Sequence, residues 1–548
     1  MAERRESSAE VFDRPHHHRS DRIGPRFRIW LMSGFWRIFL VSSTVAFAVI
    51  AAWALATPLF SAPDEPAQVV HAAAVVRGQW VGHTIGNAQS ASTEVIVPSA
   101  FIARSAATCF AFVGGRSATC AAPLRGSAKA VSATTYIGRY PPLYFAIVGL
   151  PSLVWRSPGG IWAMRITSSG VNALLLGLSV ATVTWWSRRR LMLVGILLAA
   201  TPAVLYLAGV VNPNGLECMS ALCLWSAGMV LVFDHPVDPP RGLVAVMGTS
   251  AALLALTRGI SPLWVTLILL MVALSLGWRQ TVGILTRLDG AIALAAVMVA
   301  TAVAVSWIVT QHALDLIPAG AQVAGQSDSQ VLRGDIGNSY TWFEQMVGVL
   351  GWLDTSLPRV TYLFWFIAVG GVAALGALVA RGRRLAVLVL LVLLVLTVPV
   401  AIEYSQARRV GMVWQGRYIL PLAVGIPMLS TALIDESAAL ASLRNRLATL
   451  LTTGVLVAQV AAFAETVRRY AVGDDGTLAF WRSRWQPPAG VVVTCIWLLL
   501  AMASFVGLLR LLAGRVGATA VEVPGEPSPS SPPNETSPAT AANASWGG

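Results

Sequence analysis

Two adjacent carboxylates and an imidazole stand in Ala62-Pro63-Asp64-Glu65-Pro66-Ala67-Gln68-Val69-Val70-His71, directly after the first long apolar run of the chain. Such a set can move a proton as acid and base, or hold a cation between its members. The two prolines and a glycine stop predict a short helix from Glu65 to Gly78. On it Asp64, Gln68, His71 and Val75 follow at intervals of four, three and four, and so share one face. The plainer role of Asp64 and Glu65 is to cap that helix, because carboxylates favour helix N-termini.

Other polar groups sit where they are costly. Glu217 opens an apolar run after the turn residues Asn212-Pro213-Asn214-Gly215, and a charge there is expensive. Arg139 precedes Tyr140-Pro141-Pro142, Arg258 lies in Leu256-Thr257-Arg258-Gly259, and Arg417 and Tyr418 stand just before Pro421. Arginines at a membrane surface can grip a lipid phosphate, or simply snorkel to ordinary headgroups. Trp352 and Asp354, like Tyr140 and Tyr418, combine an aromatic face with a polar neighbour. That combination suits a sugar ring, and it suits an interfacial aromatic belt equally.

The elements that must position these groups are membrane spans. With 548 residues, 55% of them hydrophobic and only 12% charged, the chain reads as an all-α integral membrane protein. The net charge of +13 does not point to nucleic acid, since the arginines cluster at the ends of apolar runs, as the positive-inside rule expects. Runs near 39–57, 161–186, 191–211, 216–233, 243–256, 261–276, 291–309, 363–380, 385–402, 418–433, 447–464 and 491–512 predict about twelve transmembrane helices, each near bilayer length. Parity puts Arg188-Arg189-Arg190 in the cytoplasm, both termini with them, and the long segment 60–160 outside. Within that first loop the apolar piece 143–155 is too short to cross and is expected as an interfacial helix. Flanking the transmembrane domain, 29–515, are tails expected to be disordered, the arginine-rich 1–28 and the Pro/Ser/Thr-rich 516–548. Cys109 and Cys120 would pair only on an oxidising side, and the sequence leaves their pairing open. There is no Walker-type loop and no zinc-type cysteine array.

The set Pro63-Asp64-Glu65 with His71, Tyr140-Pro141-Pro142-Leu143-Tyr144, Asn212-Pro213-Asn214-Gly215-Leu216-Glu217, Gly351-Trp352-Leu353-Asp354-Thr355 and Gly416-Arg417-Tyr418 resembles a bacterial multi-pass membrane family of unknown function within the GT-C glycosyltransferase superfamily. The resemblance implies a GT-C-like fold with the active site on the extracytoplasmic side of the bacterial cell membrane. It also implies inverting transfer of a sugar from a polyprenyl-phosphate donor to an envelope glycan, lipid or protein. In its terms the acidic pair close to the first span falls on Asp64 and Glu65, and a further acid on Glu217, with Asn214 standing where aspartate is more typical. Asp64 is then expected as base with Glu65 or His71 orienting it, Arg139, Arg258 and Arg417 as donor-phosphate contacts, and Tyr140, Glu217, Trp352, Asp354 and Tyr418 as substrate contacts. No cofactor is required, although a Mg or Mn ion held by Asp64 and Glu217 stays open. The rival reading is a transporter or flippase of a lipid-linked or anionic solute, without catalysis.

Overall fold

The computed structural model describes residues 25–85, 92–103, 105–314, 323 and 325–518, so the expected tails at 1–28 and 516–548 lie almost wholly outside the described residues. Apolar runs in lipid must satisfy their own backbone, which is why helices make up most of the structure. α1 (Pro25–Leu55) leads into the first loop, which holds α2 (Glu65–Val75), the strands β1 (His83–Thr84), β2 (Thr93–Pro98) and β3 (Ala130–Thr135), and the short helices α3 (Leu143–Val148) and α4 (Pro151–Val154). Then follow α5 (Gly159–Trp186), α6 (Leu191–Ala199), α7 (Pro202–Gly209), α8 (Pro213–Asp234), α9 (Arg241–Ala255), α10 (Ser261–Leu276), α11 (Trp278–Leu285) and α12 (Leu288–Gln311). A second loop carries α13 (Asp328–Gly337), α14 (Ser339–Gly348) and the hairpin β4 (Val349–Leu350) with β5 (Thr355–Ser356). The chain closes with α15 (Arg359–Val379), α16 (Gly382–Val410), α17 (Leu420–Ala423), α18 (Gly425–Glu436), α19 (Arg444–Val472) and α20 (Val491–Ala518).

Among the described residues eight helices are long and apolar enough to cross a membrane, or ten if each bent pair counts as one span. The expected total of about twelve is therefore not confirmed. The shortfall lies at 243–256, which forms the 15-residue α9, and at 418–433, which breaks into α17 and α18. Breakers explain the bends. α6 and α7 meet at 65° because Pro202 cannot continue a helix. Thr201 caps the new start by accepting from the Val204 amide, and its hydroxyl donates to Met346 O at 2.8 Å. The Ala200 carbonyl freed by the break accepts from Gln459 Nε2 at 2.7 Å. α10 and α11 meet at 115° at Gly277, whose φ of +89° suits glycine alone.

The bundle packs around α8, whose membrane window is wholly buried. Its sequence is apolar on every side, which is the pattern of a helix with no lipid face. α5, α7, α9, α10 and α18 surround it. Small residues let neighbours close in, as expected where lipid supplies no hydrophobic drive between helices. A β-carbon on Gly177 of α5 would fall 2.6 Å from the Ser43 amide nitrogen of α1, and one on Gly425 would collide with the indole of Trp225. That indole donates to Pro421 O at 3.1 Å, tying the broken segment to α8.

The first loop is built, not slack. β1, β2 and β3 form an antiparallel sheet with Thr93 opposite Thr135 and Pro98 opposite Ala130. α2 lies on that sheet, where Thr135 Oγ1 donates to Ala67 O. Cys109 and Cys120 are joined as a disulfide, so the thiols left open by the sequence do pair. Arg469 of α19 holds the same stretch, donating to the carbonyls of Phe110, Val113 and Arg116 and, at 2.8 Å, to Asp354 Oδ2 beside β5.

Candidate active site

The end of α1 is locked first. Arg165, entering from α5, donates to the carbonyls of Ala54, Thr57 and Pro58, which α1 leaves without helical partners. Its other edge makes two bonds to Glu65, at 2.7 and 2.6 Å, and both side chains are 0% exposed. The remaining demand of Glu65 is met by the Val211 amide at the α7–α8 junction. A planar, bidentate ion pair of this kind fixes geometry as well as charge. Glu65 is thus a structural clamp, and its place as orienting partner of Asp64 is not supported by the contacts.

Asp64 is turned the other way. Its backbone is left-handed, with φ +61° and ψ 1°, a conformation that Asp tolerates better than most residues. The expected stripe of Asp64, Gln68 and His71 does not form, because this twist takes Asp64 off the helix while Gln68 and His71 stay in packed interior. The ring of His71 lies 4.4 Å from that of Phe145, and burial pushes its pKa down to about 4, the Tyr140 backbone opposing. His71 is therefore a neutral core residue near pH 7, which corrects its expected place beside the base.

The Asp64 carboxylate, 30% exposed, accepts from Tyr136 Oη at 2.7 Å and from Arg417 Nη2 at 2.7 Å. Burial, and after it the Asp64 charge, hold the Tyr136 phenol above its ordinary pKa, so it stays a donor. Arg417 also bonds Tyr418 Oη at 3.3 Å and lies 5.2 Å from the centre of that ring. Arg258 lies over the same ring at 5.0 Å and over Tyr140 at 6.0 Å. Glu217 closes the chain, accepting from Arg258 Nη1 at 3.1 Å, Ser261 Oγ at 2.6 Å and Asn214 Nδ2 at 3.3 Å. Six of the residues singled out by sequence, Asp64, Tyr140, Glu217, Arg258, Arg417 and Tyr418, thus form one continuous polar cluster.

Not every donor in that cluster is used. Arg417 Nε and Nη1 and Arg258 Nε are buried without a hydrogen-bond partner among the described residues. Unmet buried donors are costly, and an oxyanion is their natural complement. The cavity adjoining Arg417, bordered by Pro63, Tyr206 and Gln345, holds about 20 Å³, room for a water and no more.

Arg139, next to Tyr140, is buried, and its carbonyl accepts from Trp307 Nε1 at 3.0 Å. Two expected residues sit elsewhere. The Trp352 indole donates to Phe60 O at 3.0 Å and its ring lies 5.1 Å from Phe112. Asp354 is engaged by Arg469 and by the Thr355 hydroxyl, so its carboxylate fastens loops and is not free for a sugar. Arg165, Arg469 and Tyr136 were not anticipated. For Arg165 the signal existed: an arginine inside the apolar run 161–186 is too expensive to lack a partner. Tyr136 carries no such mark.

The crystal structure of ArnT from Cupriavidus metallidurans bound to undecaprenyl phosphate has a TM-score of 0.42 and 14% identity, over 89% of this chain and 78% of that one. Its apo state has a TM-score of 0.42 and 15% identity, over 89% of this chain and 79% of that one. No curated protein matches the chain. Residues 47–426 match DUF2142, described as a predicted membrane protein, and that match covers the first loop, α8 and the Arg417 corner together. The chain belongs to the DUF2142 family of membrane proteins.

Proposed function

We propose that the chain is an inverting membrane glycosyltransferase, taking a sugar from a polyprenyl-phosphate donor and passing it to an acceptor hydroxyl at the membrane surface bearing the first loop. The observation that carries this reading is a partly exposed carboxylate bonded to Arg417 Nη2 while Nε and Nη1 of the same guanidinium have no partner among the described residues. The free edge takes the donor phosphate, with Arg258 beside it. Asp64 removes the proton of the acceptor hydroxyl as its oxygen bonds to the anomeric carbon, and the bond from that carbon to the phosphate oxygen breaks, so polyprenyl phosphate leaves as an anion. Cations at the leaving group stabilise charge that grows in the transition state, and one carboxylate suffices for an inverting displacement. Tyr418 and Tyr140 supply the aromatic faces, and Glu217 balances and orients Arg258. The 20 Å³ cavity beside Arg417 is too small to hold the donor. The pair suggested for a divalent ion, Asp64 and Glu217, is satisfied by Arg417 and Arg258, so these residues fit arginine and no step is drawn through a metal.

Carriage of a lipid-linked solute without bond chemistry is the second reading, and the two bent helix pairs favour it, since broken spans are a transporter device. Asp64→Asn separates the two. It keeps the left-handed backbone accessible and the side-chain shape, so the protein should purify normally, while transfer from a radiolabelled polyprenyl-phosphate sugar should fall roughly 10²- to 10⁴-fold, as loss of a general base predicts. Unchanged transfer would exclude Asp64 as base. Solute movement with no new glycosidic bond, in the parent as in the variant, would favour the carrier.

A further inference from the structure

A large cavity that shares no lining residue with the Asp64 cluster lies at the other end of the bundle, where α5 ends and α6, α19 and α20 meet. It holds about 740 Å³, within the range of sites for sizeable ligands. Its lining carries Arg188, Arg190 and Arg444, with Arg510 farther along α19 at Thr452, against a single carboxylate, Asp435. That carboxylate is already occupied, accepting from the Leu191 amide at 3.0 Å and lying 3.6 Å from Arg444 Nη1. The arginines are under-partnered in a specific way. Arg444 donates to Ser437 O at 2.7 Å while its Nε is buried with no hydrogen bond among the described residues, and Arg510 bonds, among them, only neutral oxygens, the hydroxyls of Thr452 and Thr453 and the carbonyl of Thr449. Between Arg188 and Arg190, Arg189 faces away to Asp234 and Glu436, which leaves its two neighbours to the cavity. Deeper in, Leu193, Val194, Leu197 and Leu509 line the wall.

A cationic rim over an apolar shaft between spans is complementary to a phosphate with a hydrocarbon tail, and basic pockets between transmembrane helices take lipid headgroups. We infer that this cavity is a binding site for an anionic phospholipid of the leaflet at that end, its phosphate on Arg444 and Arg510 and an acyl chain along α6 and α20. A free phosphate ion would leave the shaft and most of the volume unmatched. The site shares no residue with the Asp64 cluster and does not rest on the glycosyltransferase reading.

The experiment uses the full chain, delipidated in detergent, with native mass spectrometry counting bound lipid across titrations of phosphatidylglycerol and phosphatidylcholine. Phosphatidylglycerol should bind at least tenfold more tightly, and Arg444→Gln with Arg510→Gln should abolish that preference. Arg381→Gln, which removes a charge outside the cavity, should leave the preference intact. Equal binding of both lipids, an unchanged preference in the double variant, or displacement of the lipid by millimolar inorganic phosphate alone would each overturn the assignment. Should the double variant fail to fold, a photoreactive phosphatidylglycerol on the unmodified chain decides: cross-links in 188–197, 444–452 and 509–513 support the site, and cross-links confined to other segments refute it.

Discussion

Replacing Arg165 by Met should be among the most damaging single changes in the chain, and its cost follows from the contacts. The substitution removes two bonds to Glu65 and three to the carbonyls of Ala54, Thr57 and Pro58, all in a region with no exposure. A buried carboxylate is left with only the Val211 amide at 3.3 Å. Breaking a buried pair in this way costs roughly 3–5 kcal/mol, and the deserted carbonyls push toward the upper end. That is roughly a hundredfold to several-thousandfold in the ratio of folded to unfolded protein, read as the loss of monodisperse protein after graded heating in detergent. Replacing both partners, Glu65→Leu with Arg165→Met, should recover the part of the loss due to the stranded carboxylate, because apolar residues of similar volume often match a buried ion pair, but not the part due to the carbonyls of Ala54, Thr57 and Pro58. Activity of that double variant tests the assignment of roles. If Arg165→Met costs less than about 1 kcal/mol, the clamp is not what holds this corner. If the double variant is stable yet inactive toward the donor while Asp64 is intact, Glu65 has a chemical part and the separation drawn between the two acids is wrong.

Three further outcomes follow from the same contacts. His71 has a folded pKa of about 4 against an ordinary value near 6.5, so stability from its neutral form is complete above about pH 6.5 and is lost as pH falls toward 4; the lost amount is on the order of 3 kcal/mol, and His71→Leu should flatten acid unfolding curves over that window. Asp335 of α13 is buried with neither carboxylate oxygen bonded among the described residues, and burial raises its pKa, so docking of α13 is favoured in acid and weakens as pH rises through the raised value; protection factors over 328–337, which remove the intrinsic rise of exchange with pH, should fall as pH rises, and Asp335→Asn should remove that fall. The 109–120 stretch is held by the disulfide, worth about 3 kcal/mol for a loop of this length, by Arg469, and by Ser117, whose hydroxyl donates to Ala471 O at 2.8 Å; reduction alone should loosen it modestly, and reduction together with Arg469→Gln should expose it to limited proteolysis.

Much of this protein is legible in its amino-acid sequence alone. A chain this apolar had to become a bundle of helices, since no other open structure satisfies its backbone in lipid, and the positions of most helices could be read from run length alone. The acid after the first span, the arginine at 417 and the carboxylate at 217 stood out for one reason: charge beside hydrocarbon is expensive and persists only with a partner or a task. What the linear chain could not express was the pairing. Asp64 meets Arg417 across more than three hundred residues, while Glu65, its immediate neighbour, meets Arg165. The division between one acid poised at a surface and one sealed in a clamp rests on a single left-handed backbone at Asp64, a feature that composition and periodicity do not carry. Helical spacing placed His71 and Asp64 together because it assumes that the helix continues through its own cap, and here it does not. The count of about twelve spans is not confirmed for a related reason: hydropathy measures whether a segment is apolar enough to cross, but the short α9 and the break between α17 and α18, tied to α8 by the Trp225 indole, are set by the fold.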